Sequence, residues 1–103
     1  MWYRSTEHFE KRRKQRGLRK QMLSFILKYG IEVERAGAIF IFIELKKLPP
    51  ALRKSEFARK ASKWLIVQSP SGELITCYAT SRPLEVIKKK TKLDLRKTGS
   101  LTI

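Results

Sequence analysis

The sequence predicts an α+β domain in which N-terminal helices pack on about four mostly antiparallel strands. An amphipathic pattern of helical period ends at Gly30, and strand-like runs occupy most of the chain from Ile31 to Thr80. The loop "SPSG" joins the last two runs as a hairpin. Helices that precede the strands, and do not alternate with them, are typical of α+β architecture.

At 103 residues the chain is expected to form one domain, residues 1–103. It begins with "MWYR", which is apolar enough to pack as a short strand or an arm over residues 1–5. It ends in "TGSLTI", and residues 97–103 are predicted to be a loose tail. Between these ends we find no repeat and no low-complexity linker.

Two helices are predicted before the strands. Ser5 or Thr6 can cap the first, since Glu7 and Glu10 then lie in its first turns, where the helix dipole favours carboxylates. Gly17 either forms a turn between the helices or is a tolerated glycine. The second helix, Leu18 to Tyr29, has apolar residues at i, i+4, i+7, i+8 and i+11, and Gly30 is expected to end it.

The strands follow in order. "IEVER" alternates apolar and charged residues, as a half-exposed strand does, and "AIFIFIEL" is apolar on both faces, as expected of a central strand. A short helix is predicted from Ala51 to Ala61. "WLIVQ" and "ELITCYAT" then form the hairpin, and a last helix is predicted from Pro83. The helices are expected to cover one face of the sheet.

The last hairpin strand has two predicted sides. Strict alternation places Leu74, Thr76, Tyr78 and Thr80 on one face, and Ile75, Cys77 and Ala79 beneath the helices. The first face, with its three hydroxyls, is predicted to be either exposed to solvent or part of a site.

Charge is the most informative property of the composition. The 24 Lys and Arg residues outnumber the 9 Asp and Glu residues, for a net charge of +15. Such an excess opposes compaction, so a polyanionic partner is expected: RNA, DNA or an anionic membrane surface. A membrane span is excluded, because the longest apolar run has eight residues and a spanning helix needs about 20.

The residue types also limit cofactor chemistry. One cysteine and one histidine allow neither an internal disulfide nor a multi-thiolate metal site, so no metal and no cofactor are predicted. The first residues lack the pattern of a secretory signal, and a cytoplasmic location is therefore expected. Cys77, Trp64 and Trp2 are interpreted as core residues, although tryptophans can also stack on bases.

Two basic blocks, Lys11 to Lys20 and Lys88 to Lys97, are the predicted contact surface for phosphates. The candidate binding residues are Lys11, Arg13, Lys14, Arg19, Lys20, Lys88, Lys89 and Lys90. The alternative is that these cations form an ordinary solvated face.

The N-terminal block also contains a candidate catalytic row. His8, Arg12 and Arg16 are spaced i, i+4 and i+8, which stacks them along one side of a helix. Histidine can accept or donate a proton near neutral pH, and arginine binds phosphate oxygens bidentately. Facing Thr76 and Tyr78, the row is interpreted as a minimal metal-independent ribonuclease site. The alternative is that His8 caps, packs or lies in water, and that the strand hydroxyls only reflect β propensity.

The segments "EHFEKRRKQRGL" and "SPSGELITCYATSR", with Gly30 between them, resemble a family of small bacterial proteins of unknown function. The family's N-terminal pattern is H-x3-R-x3-R-G, and the family is similar to the RelE/barnase/colicin-type nuclease superfamily. The resemblance covers Thr6 to Arg82. It departs at Phe9, which replaces a small residue, and at a longer connection before Trp64.

The resemblance implies a RelE/barnase-like fold and a toxin-like endoribonuclease, or a non-catalytic relative that binds RNA. In the first case His8 would be general acid or base, Tyr78 would assist or stack on a base, and Arg12, Arg16 and Arg82 would hold phosphate. An acidic antitoxin-like protein would then be a partner. In the second case the chain is an RNA- or DNA-binding accessory protein. Attachment to an anionic membrane ranks last, because the apolar face of Leu18 to Tyr29 is needed by the core.

Overall fold

A five-stranded mixed sheet forms the centre of the structure, a computed structural model that describes residues 3–88. The strands are β1 (Arg4–Ser5), β2 (Ile31–Arg35), β3 (Ala38–Phe42), β4 (Trp64–Gln68) and β5 (Glu73–Ala79). Their order across the sheet is β1-β5-β4-β3-β2, and all neighbours are antiparallel except β1 and β5. The predicted α+β class is confirmed, and the arm supplies a fifth, two-residue strand.

The helices are α1 (Glu7–Arg16), α2 (Lys20–Tyr29), α3 (Pro50–Arg53) and α4 (Glu56–Ala61), with a 3-10 turn at Leu45–Lys47. The single helix predicted from Ala51 to Ala61 is wrong, because the Ser55 hydroxyl accepts a hydrogen bond from the Ala58 N–H and starts a new helix. Residues 83–88 are helical, as predicted. Lys89, Lys90 and the predicted tail at 97–103 lie outside the described residues.

Two glycines end α1 and α2 for different reasons. Gly17 has φ of 80° and forms the left-handed turn between α1 and α2. Gly30 ends α2 as predicted, but its φ is −73°. A Cβ there would clash with the Ile26 carbonyl oxygen, so close packing excludes any side chain at this position.

Both faces of the sheet carry a buried apolar cluster. On one face Phe9 of α1 and Ile26 of α2 pack with Ile41, Ile66 and their neighbours. On the other face an aromatic and aliphatic layer, Phe40, Phe42, Leu65 and Val67, packs with Ile87 of the helical segment 83–88. The prediction that helices cover one face is therefore wrong, since β3 and β4 are apolar on both sides and each side is covered.

A bulge in the hairpin changes the predicted faces of β5. Thr76 pairs with Val67, but Leu74 pairs with Gln68, so Ile75 is an extra residue in the register. Leu74 and Cys77 consequently lie in the same buried cluster, and Ile75 is 43% exposed. Strict alternation was wrong for Leu74 and Ile75, whereas Tyr78 packs against the opposite cluster from Cys77, as predicted.

Candidate nucleic-acid interface

The first turn of α1 is attached to β5 by one side chain. The Thr6 hydroxyl accepts a hydrogen bond from the Phe9 N–H at 3.1 Å and donates one to the Leu74 carbonyl at 3.0 Å. Phe9 is fully buried beneath the helix. The large ring fastens α1 to the sheet.

From this attachment α1 and β5 advance in the same direction, and their residues can be matched by level. Ten helical residues from Thr6 to Arg16 rise about 15 Å, and four strand residues from Leu74 to Tyr78 advance about 13 Å. Arg16 should therefore reach Tyr78. The guanidinium carbon of Arg16 does lie 5.4 Å from the centroid of the Tyr78 ring.

The same reasoning matches Arg12 with Thr76. Arg12 is six residues, or about 9 Å, from Thr6, which is level with the middle of β5. Arg12 and Thr76 are both half-buried. Arg12, Arg16, Thr76 and Tyr78 are called the α1–β5 rim below. The structure brings Arg16 and Tyr78 of this group into contact, and the rise of the helix sets Arg12 at the level of Thr76.

His8 lies away from Arg16 and Tyr78. It is two residues from Thr6, so it lies about 12 Å along the helix from Arg16. An i, i+4, i+8 row also rotates by about 40° at each step, since four residues turn about 400°. The rotation carries Arg16 towards the sheet and leaves His8 exposed at the other end of α1.

Arg13 was predicted to contact phosphate, and the structure corrects this. It is 5% exposed, and its guanidinium donates to the Glu10 carboxylate at 2.7 Å and to the Leu18 carbonyl at 2.8 Å. Hydrogen bonds from Arg13 and then Ser5 lower the pKa of Glu10. Arg13 therefore holds the α1–α2 turn together and is inaccessible to a partner.

The other predicted cations are accessible, with different surroundings. Lys11, Lys14, Arg19, Lys20 and Lys88 are exposed. Arg82 is also exposed, and its guanidinium lies 3.6 Å from Glu85. The ion pairs formed within residues 3–88 include none of Lys11, Arg12, Lys14 and Arg16. The positive charge of α1 outside Arg13 is therefore left uncompensated by these residues.

Cys77 lies beneath this rim, where burial raises the pKa of its thiol. Its interpretation as a core residue is confirmed. In residues 3–88 no three His, Cys, Asp or Glu side chains cluster where they could hold a metal ion. None of the helices in that range has the length and apolar character needed to cross a membrane.

A cavity of about 630 Å³ lies beyond the Arg16 end of α1 and was not predicted from the sequence. Its lining includes Arg19, Lys60 and Lys63 together with the aromatic rings of Phe57 and Trp64. These residues come from the α1–α2 turn, from α4 and from β4, so no local pattern joins them. Trp64 packs against the core as predicted, yet part of it also lines this cavity.

Comparison of the chain with family models, with curated proteins and with solved structures finds no match. The resemblance to a nuclease-like family consequently stays a hypothesis that depends on the N-terminal and hairpin motifs alone.

Proposed function

We propose that the protein binds nucleic acid, with RNA favoured over DNA, through the α1–β5 rim and the exposed cations of α1. The main support is a helix whose Lys11, Arg12, Lys14 and Arg16 form none of the ion pairs within residues 3–88. Arg12 and Arg16 are positioned by a buried anchor, and a phosphate backbone supplies the negative charge that the fold leaves out.

The composition of α1 favours nucleic acid over a membrane surface. Helices that bind membranes insert an apolar face, but the only apolar residue of α1, Phe9, is buried against the sheet. The apolar face of α2 is likewise used by the core, through Leu23, Ile26 and Leu27. The exposed side chains of α1 are charged or form hydrogen bonds, and such groups suit phosphates and sugars.

The experiment compares two doubly substituted proteins of equal net charge. Arg12→Ala with Arg16→Ala removes two cations from the rim, and Arg35→Ala with Lys54→Ala removes two exposed cations elsewhere. Binding to a labelled RNA is measured against salt. We expect the rim variant to lose at least about tenfold in affinity and to reduce the salt slope by about 2, and the control to change less than about threefold.

Equal losses in the two variants would show that binding depends on total charge and not on the rim. If the nucleic-acid-free parent protein does not bind polynucleotides even at low salt, the proposed function is wrong.

A metal-independent endoribonuclease of the toxin kind, with an acidic antitoxin-like partner, is the second candidate. It is favoured by the contact between Arg16 and Tyr78. In this arrangement the guanidinium would hold a phosphate while the neighbouring phenol assists proton transfer. His8 lies two turns from this pair, so the geometry favours Tyr78 as the residue that assists.

RNA is incubated with EDTA and with the parent, His8→Ala or Tyr78→Phe protein. If the parent cleaves, we expect Tyr78→Phe to slow cleavage about 10²-fold and His8→Ala to have a smaller effect. If the parent binds RNA without cleaving it, the endoribonuclease candidate is wrong and only the binding function remains.

A further inference from the structure

The cavity beyond the α1–β5 rim combines positive charge with aromatic surface. Arg19 enters from the α1–α2 turn, Lys60 from α4, and Lys63 from the residue before β4. Lys60 has a weak, exposed ion pair with Glu56 at 3.5 Å, and no carboxylate lines the cavity within the described chain. The charge of the cavity therefore favours an anionic ligand.

Two rings give the cavity a planar, apolar component. Trp64 packs against the core and is half-buried, so the exposed part of its indole is held in place. Phe57 is 40% exposed and is fixed by an edge-to-face contact with Phe25, with ring centroids 5.3 Å apart. Exposed rings that are held rigidly are suited to stacking on a flat ligand.

The N-terminal end of α2 borders the same cavity. Gln21 and Met22 of its first turn line the cavity, and the side chain of its N-cap residue, Arg19, has no acceptor with which to cap the helix. The first turn contains no acidic residue. Cations at a helix N-terminus oppose the dipole, so an anion placed there would be favoured both by the helix and by the lysines.

The cavity begins where the rim ends, both on α1 and on β5. Gly17, which follows Arg16, and Ala79, which follows Tyr78, both line it. A strand whose phosphates lie along α1 therefore reaches the cavity at the end of the helix. Its volume of about 630 Å³ is within the range of small-ligand sites.

We propose that this cavity is a nucleotide subsite that receives one unpaired base with its phosphate, and that the protein consequently selects single-stranded nucleic acid. The base stacks on Trp64 and Phe57, while the phosphate lies near Arg19, Lys63 and the start of α2. A base inside a duplex is stacked on its neighbours and cannot enter. The inference rests on the proposed function and adds to it the class of nucleic acid.

The experiment uses the full chain and two probes, a single-stranded RNA of about ten nucleotides and the same sequence as a blunt duplex. Affinities are measured for the parent, for Phe57→Ala and Lys63→Ala in the cavity, for the rim pair Arg12→Ala with Arg16→Ala, and for Lys54→Ala as an exposed control. We expect the parent to prefer the single strand by at least about tenfold. Phe57→Ala and Lys63→Ala should weaken single-strand binding roughly 5- to 100-fold and leave duplex binding unchanged.

Tryptophan fluorescence gives a second readout. The chain has two tryptophans, Trp2 and Trp64, and the single strand should quench emission in the parent but much less in Trp64→Phe.

The outcomes separate the inference from the proposed function. The nucleotide subsite is wrong if the parent binds the two probes equally, if Phe57→Ala does not change this and if Trp64 is not quenched. The proposed binding at the rim would then stand. Loss of binding in the cavity variants but not in the rim variant supports the subsite and overturns the rim. If neither probe binds, both proposals are wrong.

Discussion

The two edges of the sheet differ in charge and in how they are covered. At one edge β5 is flanked by α1, which presents Lys11, Arg12, Lys14 and Arg16, and β1 pairs with β5 only at residues 73 and 74 in the described chain. At the other edge β2 exposes Glu32 and Glu34 on a strand whose Ile31 and Val33 face the core.

The comparison shows that the charged side chains of residues 3–88 differ between the two edges, with cations on α1 and two glutamates on β2. If the protein binds a polyanion as proposed, the cations of α1 would attract it and the glutamates of β2 would repel it, which would give a preferred orientation of approach. Charged side chains on β2 also discourage association of that edge with other strands. The same composition thus favours binding at one edge and discourages association at the other.

The largest expected effect breaks the attachment of α1 to β5. Phe9→Ala removes a fully buried ring, and we expect the free energy of unfolding to fall by about 3–5 kcal/mol. Val33→Ala, at the half-buried inner side of β2, should cost about 1 kcal/mol. Chemical denaturation of both variants measures the difference, and equal losses would show that α1 is not anchored as described.

Charge reversal at each edge tests the electrostatic asymmetry. Lys11→Glu with Lys14→Glu should lower RNA affinity about 10²-fold at low salt, since a helix that contacts phosphates would then repel them. Glu32→Lys with Glu34→Lys should raise affinity by no more than about threefold, because Arg12 and Arg16 of the rim lie at the opposite edge of the sheet. If the β2 variant gains as much affinity as the α1 variant loses, RNA binding depends on net charge alone.

The Glu10–Arg13 pair gives a dependence on pH. Its hydrogen bonds lower the pKa of Glu10 from 4.5 in the folded protein, so the unfolded chain takes up the proton first as the pH falls. The stabilisation is complete above about pH 5 and is lost as the pH falls through the lowered pKa. Glu10→Gln should reduce stability at pH 7 by about 1 kcal/mol and reduce the acid-induced loss. Glu32→Gln is the control at the other edge, and denaturation curves between pH 2 and 7 measure both.

The smallest expected effect is the contact between Arg16 and Tyr78. A double-mutant cycle with Arg16→Met and Tyr78→Leu should give a coupling energy of about 0.5 kcal/mol, typical of an exposed cation over an aromatic ring. The corresponding cycle between Arg35 and Tyr78, which belong to opposite edges, should give none. A coupling of zero for the first pair would place Arg16 away from the ring in solution.

Local pattern was sufficient to predict most of the elements. The period-two and doubly apolar runs predicted β2, β3 and β4, and the spacing of apolar residues predicted α2, since these signals come directly from burial. The face of Leu74 was missed because one inserted residue, Ile75, shifts the alternation. A bulge is a property of two paired strands and leaves no clear signal in either alone.

The site was predictable in residue identity but not in position. The i, i+4, i+8 spacing grouped His8 with Arg16, but only the attachment of Thr6 to Leu74 decides which strand residue each helical residue reaches. Arg13 did carry a signal that was overlooked, because it lies four residues after the buried Phe9 and three after Glu10. The cavity joins residues from four elements, and tertiary packing alone brings them together.

The hydroxyl of Thr6 has a consequence for synthesis on the ribosome. Its acceptor is the carbonyl of a residue 68 positions later, and chains are made from the N-terminus at about 5–20 residues per second. The basic first helix therefore leaves the ribosome roughly 3–14 seconds before the strand that receives it. During that interval the ring of Phe9 has no sheet to cover it, next to ribosomal RNA that attracts its neighbouring cations.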